Sequence, residues 1–431
     1  MYEIKQNANI VERALIVGIQ KPRDTEEHVG CLLDELEALV GTLDINVVCR
    51  EIVRVKEIKP KLLVGSGRAD DIAALVAEHE CDVVVFDDEL TPGQQRNWEK
   101  KLEKIAVIDR QEIILDIFAM RAQTKEAVLQ VGLARMEYSL PRLKRAWTHL
   151  SRQRGGGTTQ RDTGETQLET DQRLVRDKIS RLKRELADIV RNRDVQRKQR
   201  LKLPTPTAAI VGYTNAGKSS LLNCMTGADV LAEDKLFATL DSTTRRINLP
   251  GGHPLLLTDT VGFVRRLPHH LVEAFKATLE EALYSNFLVH ILDLSNPEVE
   301  EHFETTMKVL EELNASGKNI ITVFNKIDKE PEPDQQRRIK LKALKLKHPG
   351  CIFVSTKTGD GIKELELRME KLLEEDFTPM DLIIPHSRYD LIHELHQLGC
   401  IKSEEPRDDG VFIQGNIPSS IRHMVNEFRV K

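Results

Sequence analysis

Gly212-Tyr213-Thr214-Asn215-Ala216-Gly217-Lys218-Ser219 follows an apolar run that begins at Thr207, and a helical stretch, Ser220–Met225, comes after it. This is G-x-x-x-x-G-K-S in the strand–loop–helix setting that a phosphate-binding loop requires. The glycines let backbone N–H groups close on phosphate oxygens, and the helix start adds a favourable dipole. The Lys218 ammonium can reach β- and γ-phosphates, and the Ser219 hydroxyl can bind Mg2+. Such a loop alone does not tell ATP from GTP.

Downstream segments supply the base. Asn325-Lys326-Ile327-Asp328 ends the apolar run Ile320–Phe324 and reads N-K-x-D. The Asp328 carboxylate can accept from N1–H and the exocyclic amine of guanine, and adenine offers neither donor in that geometry. Asn325 can meet the purine edge, and the Lys326 stem can lie along the ring. Ser355-Thr356-Lys357 ends the run from Cys351, and its backbone N–H groups could contact guanine O6.

Two further segments suit the metal and the γ-phosphate. Asp259-Thr260-Val261-Gly262 is D-x-x-G, in which the Asp supports Mg2+, through water, and the Gly262 N–H senses the γ-phosphate. Phe237-Ala238-Thr239-Leu240-Asp241 lies between, and Thr239 is the candidate second hydroxyl ligand of Mg2+, with Thr243 and Thr244 as rivals. The combination points to Mg2+-dependent hydrolysis of GTP to GDP. Lys218, Asn215 and Gly262 are the catalytic candidates, and Ser219 and Thr239 are the metal ligands.

Phe263 stands where many GTPases place a water-orienting Gln. Phe cannot position water, so intrinsic turnover should be slow and a partner should stimulate it; the ring could still pack over the site as a lid, with a plain core role as the alternative. The Asn215 side chain could help hold K+, which would neutralise charge between β- and γ-phosphates as an arginine finger does. A loop-stabilising Asn turn is the alternative. Arg265 and Arg266 fall in the segment that switches, where a solvated face is the plain reading against a partner contact.

These loops need a parallel sheet to carry them. Before the nucleotide segments, Ala14–Ile19, Ile45–Val53, Asp82–Phe86 and Ala106–Asp109 read as strands. Glu26–Val40, Asp70–Ala77, Gly93–Leu102 and a stretch through Ala119 read as helices. Strand–helix alternation argues for an α/β layer with a mainly parallel sheet. Thr124–Pro141 and Glu165–Gln199 are helical, the latter with a coiled-coil seam at Val175, Ile179, Leu182, Leu186 and Ile189. Arg152–Gly164, with Gly155–Gly157, reads as a loop. After the nucleotide segments come strand, helix, strand, strand and helix. The fold class is therefore α/β and multidomain: an N-terminal α/β domain over 1–122, a basic helical hairpin over 123–203, a P-loop GTPase domain over 204–376 and a small α+β domain over 377–431.

The 431 residues are 30% charged and 4% aromatic, with a net charge of -5. No stretch reaches about 18 apolar residues, which argues against a membrane span, and the first residues have no apolar signal-peptide core. Six scattered cysteines with no C-x-x-C pair argue against zinc and for free thiols of a cytosolic protein. Charge is uneven: Arg135–Lys202 holds 19 Lys and Arg against nine Asp and Glu. Around the hairpin tip, Arg142, Lys144, Arg145, Arg152, Arg154 and Arg161 could neutralise RNA phosphates, and Trp147 and His149 could stack on bases. A solvated charged coiled coil is the other reading. Gly65-Ser66-Gly67-Arg68, ahead of a helix, could meet an anion or form a tight turn.

With Pro60–Arg68, Leu90–Asn97, Val107–Arg110 and Gly164–Glu169 added to the nucleotide motifs, nearly the whole chain resembles HflX, a family of ribosome-associated translational GTPases of the Obg/HflX-like group. The resemblance implies binding to the large (50S) ribosomal subunit and its rRNA. It also implies splitting or rescue of stalled ribosomes in stress, or subunit maturation, with GTP hydrolysis stimulated by the ribosome. It implies a cytoplasmic protein, monomeric off the ribosome, with peripheral membrane association left open. A GTP-dependent RNA-binding switch in rRNA or tRNA metabolism, without ribosome splitting, is the alternative. Two departures stand out: Asp162-Thr163 precedes Gly164 where a Pro is usual, and the last guanine motif has Thr356 where Ala is usual.

Overall fold

The computed structural model describes residues 12–103, 105–143, 161–200, 205–227, 236–237, 239–265, 283–315, 317–329 and 335–430. Side chains are described for all of these except 161–169, 192–200, 335–337 and 420. Ala238, Arg266 and the tip residues Lys144, Arg145, Trp147, His149, Arg152 and Arg154 lie outside them, as do Gly155–Gly157. The chain divides into two compact units, one running to Asp188 and the other starting at Ile189.

The first unit is built on four parallel strands: β1 (Arg13–Gln20), β2 (Asn46–Arg54), β3 (Val83–Phe86) and β4 (Ala106–Asp109). They lie in the order β2-β1-β3-β4. β1 and β3 are continuous apolar runs, buried on both faces, which is the pattern of inner parallel strands. Helix starts are marked in the sequence. Thr25, Asp109 and Thr124 each accept an N–H of the first helical turn. Thr91 and Gln94 form a reciprocal capping box, with Pro92 at the first helical position. Leu90–Asn97 and Val107–Arg110 therefore hold the scaffold: Gln95 donates to the Val107 carbonyl at 2.7 Å, and buried Arg110 pairs with Asp87 at 2.7 Å.

The long helix spans Arg161–Arg200, so it starts before the expected Glu165 and takes in the end of the expected loop. One Gly inside a helix costs only about 1 kcal/mol, and the residues around Gly164 are ordinary helix formers. Its seam residues, Val175 to Ile189, are half-buried, whereas Leu174 beside them is exposed.

The second unit carries a six-stranded sheet: β5 (Thr207–Gly212), β6 (Thr243–Asn248), β7 (Pro254–Asp259), β8 (Phe287–Asp293), β9 (Asn319–Asn325) and β10 (Ile352–Phe353). Their order is β10-β9-β8-β5-β7-β6. Only β6, at the edge, runs antiparallel to its neighbour. The carboxyl ends of β5, β7, β8 and β9 all open on one edge, where ligands of α/β sheets bind. Three more strands follow: β11 (Phe377–Ile384), β12 (Ile401–Arg407) and β13 (Gly410–Pro418), with β13 central. Pro379 and Pro406 fall in the two outer strands, where the missing N–H is tolerated. The turn between β6 and β7 is tied to the helix Ile362–Glu374 and to the C-terminal part: Gly251 N–H donates to Glu370 at 2.6 Å, and a His253 ring nitrogen lies 3.2 Å from the Leu398 carbonyl.

Candidate functional site

β5 leads into the phosphate loop, and Gly217 ends the loop in the left-handed region, at φ 97°, as the cap of the helix Lys218–Thr226. A side chain at Gly217 would run into the Asn325 amide, so only glycine fits there. Lys218 is buried, and its ammonium donates to the Tyr213 carbonyl at 2.8 Å. Burial lowers its pKa to about 8, against the raising effect of Asp259.

Ser219, Thr239 and Asp259 come together. The Ser219 hydroxyl lies 2.6 Å from Asp259 Oδ2 and 2.7 Å from the Thr239 hydroxyl. Thr244, one rival to Thr239, instead meets the Thr258 hydroxyl at 2.9 Å. Thr243, the other, pairs with Asp259 in the β6–β7 ladder. Burial raises the Asp259 pKa, opposed by Lys218 and by the two hydroxyls. Asp259 Oδ1 is buried without a hydrogen-bond partner. Two hydroxyls and a carboxylate with one oxygen unfilled form a hard, all-oxygen donor set of the kind that Mg2+ takes.

Gly262 lies against this cluster, where an added Cβ would stand 2.8 Å from Lys218 Nζ. Thr260 closes the turn by donating its hydroxyl to the Ile210 carbonyl at 2.7 Å. Val261 is buried. Phe263 is only 1% exposed, so it is a core side chain and not a lid. Phe237 and Leu240 are buried, with Phe237 at φ 55°, while Asp241 is half-buried.

Across the edge, β9 ends on Asn325, and Asn325-Lys326-Ile327-Asp328 are the candidate base readers. Asn325 is fully buried. It donates to the Ala216 carbonyl at 2.9 Å and accepts the Thr356 N–H at 3.1 Å. It therefore braces the phosphate loop against the segment after β10. Lys326, at φ 66°, donates to the Asn215 carbonyl at 2.7 Å and pairs with Asp293 at 2.8 Å, so its ammonium, too, is tied to the loop. Ile327 is half-buried. Asp328 is exposed, and the Ser355 hydroxyl holds its carboxylate at 2.6 Å. That bond, first among the causes, keeps the Asp328 pKa below the ordinary carboxylate value. Of the three N–H groups assigned to guanine O6, Ser355 gives its own to the Asp360 carbonyl at 3.0 Å, and Thr356 gives its own to Asn325. Among the described residues Lys357 has no such duty.

Arg265 departs from expectation. Arg265 is 8% exposed, so it is not a solvated face. Its guanidinium lies 2.8 Å from Glu298 and 2.9 Å from Glu301, which is how a charge becomes tolerable in the interior. The Tyr213 ring stacks on His302, with centroids 3.7 Å apart. Burial, helped by Arg265, brings the His302 pKa down to about 4. The sequence reading missed Asp293, Glu298, Glu301 and His302. Asp293 alone carried a signal, as a carboxylate ending an apolar strand.

Three family models match in succession: "GTP-binding GTPase N-terminal" over residues 31–119, "GTP-binding GTPase Middle Region" over 121–200 and "50S ribosome-binding GTPase" over 207–326. The chain is 45% identical to GTPase HflX of Akkermansia muciniphila, covering 99% of each chain. The chain belongs to the HflX family of GTPases. GTPase HflX of Lacrimispora saccharolytica is 44% identical over 98% of this chain and 97% of its own, and that of Escherichia coli is 40% identical over 94% of each. Among solved structures, a GTP-binding protein of Sulfolobus solfataricus in complex with GDP is 25% identical over 84% of this chain and 98% of its own, with a TM-score of 0.44.

This HflX-family chain is thus a GTPase that binds guanine nucleotide. Among the described residues, no helix is long and apolar enough to cross a membrane. Gly65 caps the helix Ser66–Glu78 and lines a cleft with Arg54, Lys56, Lys59 and Arg68. Its cations are partly matched already, Arg54 by Glu26, Arg68 by Asp71 at 3.3 Å and Lys59 by Glu57 at 3.4 Å.

Proposed function

We propose that this protein is a Mg2+-dependent GTPase that binds the large ribosomal subunit, is stimulated by it, and acts in ribosome splitting or rescue, or in subunit maturation. The observation that carries the nucleotide part is the meeting of Ser219, Thr239 and Asp259 beside Lys218, with Asp328 and Ser355 at the far end of the same strand edge. The "50S ribosome-binding GTPase" match over 207–326 and the basic stretch Arg135–Lys202 support the ribosomal part.

Each residue then has a task. Amides of Gly212–Ser219 wrap the phosphates, and the Lys218 ammonium faces charge building on the β- and γ-oxygens. Ser219 and Thr239 would hold Mg2+ directly and Asp259 through water; the ion would neutralise the phosphates and fix their orientation. Gly262 N–H donates to the γ-phosphate. Asp328, oriented by Ser355, accepts from guanine. Water attacks the γ-phosphorus, the bond to the bridging oxygen breaks, and GDP and phosphate leave. Phe263 offers no group for that water, so the partner completes the site.

Asn215 is exposed, at φ 56°, with its side chain outside the loop's own hydrogen bonds. The exposed side chain could serve K+ as the second cation, while its left-handed φ is also what a loop-stabilising Asn turn shows. Turnover in KCl and in NaCl at equal ionic strength tests it, and equal rates remove K+ from the account. The hairpin-tip reading places Lys144, Arg145, Arg152, Arg154 and Arg161 against rRNA; Arg142, expected among them, is instead held by the fold, donating to the Leu90 carbonyl at 2.7 Å and to Gln95 at 3.1 Å beside Asp109. The protein would be cytoplasmic and monomeric off the ribosome, in four domains bounded near residues 122, 203 and 376.

The deciding experiment is pelleting with isolated large and small subunits in GTP, GDP or no nucleotide. Cosedimentation with the large subunit, strongest in GTP, is expected. Equal pelleting with both subunits in every nucleotide state ends the ribosomal reading.

A further inference from the structure

The root of the segment after Asp259 is zipped onto the phosphate loop. Phe263 N–H donates to the Gly212 carbonyl at 3.0 Å, and Thr214 N–H donates to the Phe263 carbonyl at 2.8 Å. Tyr213 and Phe263 form a parallel bridge there. Arg265 fastens the far end of this zip. Its N–H donates to the Tyr213 phenol oxygen at 2.8 Å, while its guanidinium is ion-paired with Glu298 and Glu301, without meeting hydrogen-bond geometry to either. His302, on the same helix start as those carboxylates, stacks on the Tyr213 ring at an interplanar angle of 4°. One helix start therefore holds both halves of the zip. Tyr213 is 3% exposed, so this assembly is interior.

The zip competes with a triphosphate. Backbone amides of such a loop are its phosphate donors, and the Thr214 amide is given to a protein carbonyl. Gly262 is pressed onto the same place: an added Cβ would stand 2.8 Å from both Lys218 Nζ and Thr214 Cγ2. A γ-phosphate would extend past the β-phosphate toward Gly262, and this close contact leaves it less room there than it leaves a diphosphate.

We propose that Arg265, ion-paired with Glu298 and Glu301 and bonded to Tyr213, holds Gly262–Arg265 shut on the phosphate loop and so biases the site toward GDP over GTP. Arg265 is a positioning residue that acts through Phe263 and Gly262. A partner that draws Arg265 away from its two carboxylates would open the site to the triphosphate. This rests on the nucleotide roles proposed above.

Affinities for GDP and for a non-hydrolysable GTP analogue, both with Mg2+, test the clamp in the full-length protein. Arg265→Ala and the double change Glu298→Gln/Glu301→Gln should shift the analogue-to-GDP affinity ratio toward the analogue by about tenfold, within the usual range of coupling between sites. Arg265→Lys keeps a charge and should shift it less. Tyr213→Phe removes one hydrogen bond and no charge, should fold like the parent, and should shift the ratio in the same direction. An unchanged ratio with intact GDP binding overturns the clamp, as does an equal loss of both nucleotides in every variant. Failure of the parent protein to prefer GDP over ADP would instead sink the site reading beneath it.

Discussion

The side-chain amide of Asn325 donates to the Ala216 carbonyl over 2.9 Å, from a residue 109 positions further along the sequence. The end of β9 and the phosphate loop are therefore one braced piece, and Asn325 also holds the Thr356 N–H. Asn325→Ala strands a buried carbonyl and an amide, each worth about 1–3 kcal/mol. The thermal midpoint without nucleotide should fall, and GDP affinity should drop by about tenfold to a hundredfold. Calorimetry beside a melting curve checks both. Weakened binding with an unmoved midpoint would mean that Asn325 serves the base alone.

Asp328 should behave in the opposite way, because it is exposed and carries little of the fold. Asp328→Asn leaves the thermal midpoint near the parent value. It replaces an acceptor by an amide that can donate to the C2 carbonyl of xanthine, so preference should move from GDP to xanthosine diphosphate. Competition between the two nucleotides reads this directly. Retained preference for guanine would put the base somewhere other than beside Asp328.

Much of this site could be read from one-dimensional pattern because its parts are contiguous: a strand, a tight loop and a helix start define Gly212–Ser219, and a strand end defines Asn325–Asp328. What could not be read was tertiary. Arg265 looked like a surface charge because its partners, Glu298 and Glu301, lie more than 30 residues on and belong to an ordinary acidic helix start. Phe263 carried two meanings in sequence, lid or core, and only its burial decides between them. The N-terminal strands were legible as apolar runs between turns. The start of the long helix was misjudged because Gly164 and the residues before it resemble a loop in composition.

Lys218 gives a prediction in proton count. Burial brings its pKa from 10.5 to about 8 in the nucleotide-free protein. The unfolded chain binds more protons than the folded one between pH 8 and 10.5, so stability should rise with pH across that window. Phosphates favour the ammonium form, so nucleotide binding above pH 8 should take up a proton. Calorimetry of GDP binding at pH 8.5, in buffers of different ionisation enthalpy, measures the uptake. Lys218→Met should abolish it. Uptake that persists in the variant would assign the proton to another group.

His290 lies in the middle of β8, fully buried, with neither ring nitrogen hydrogen-bonded among the described residues. Its flat neighbour is the Phe303 ring, 5.2 Å away. Burial first, then the charges of His348 and Lys218, push its pKa down to about 3. The unfolded chain binds the proton more readily from pH 6.5 down to 3, so stability is lost as pH falls through that range, and His302 adds to the loss down to about 4. His290→Leu replaces two unpaired nitrogens by a side chain of similar size. It should hold or raise the midpoint at pH 7, by about 1–2 kcal/mol of stability, and flatten the acid limb. Urea titrations at pH 7 and pH 5 provide both numbers. A variant that loses stability at pH 7, or keeps the full parental drop at pH 5, would show that the imidazole has a partner in the folded protein.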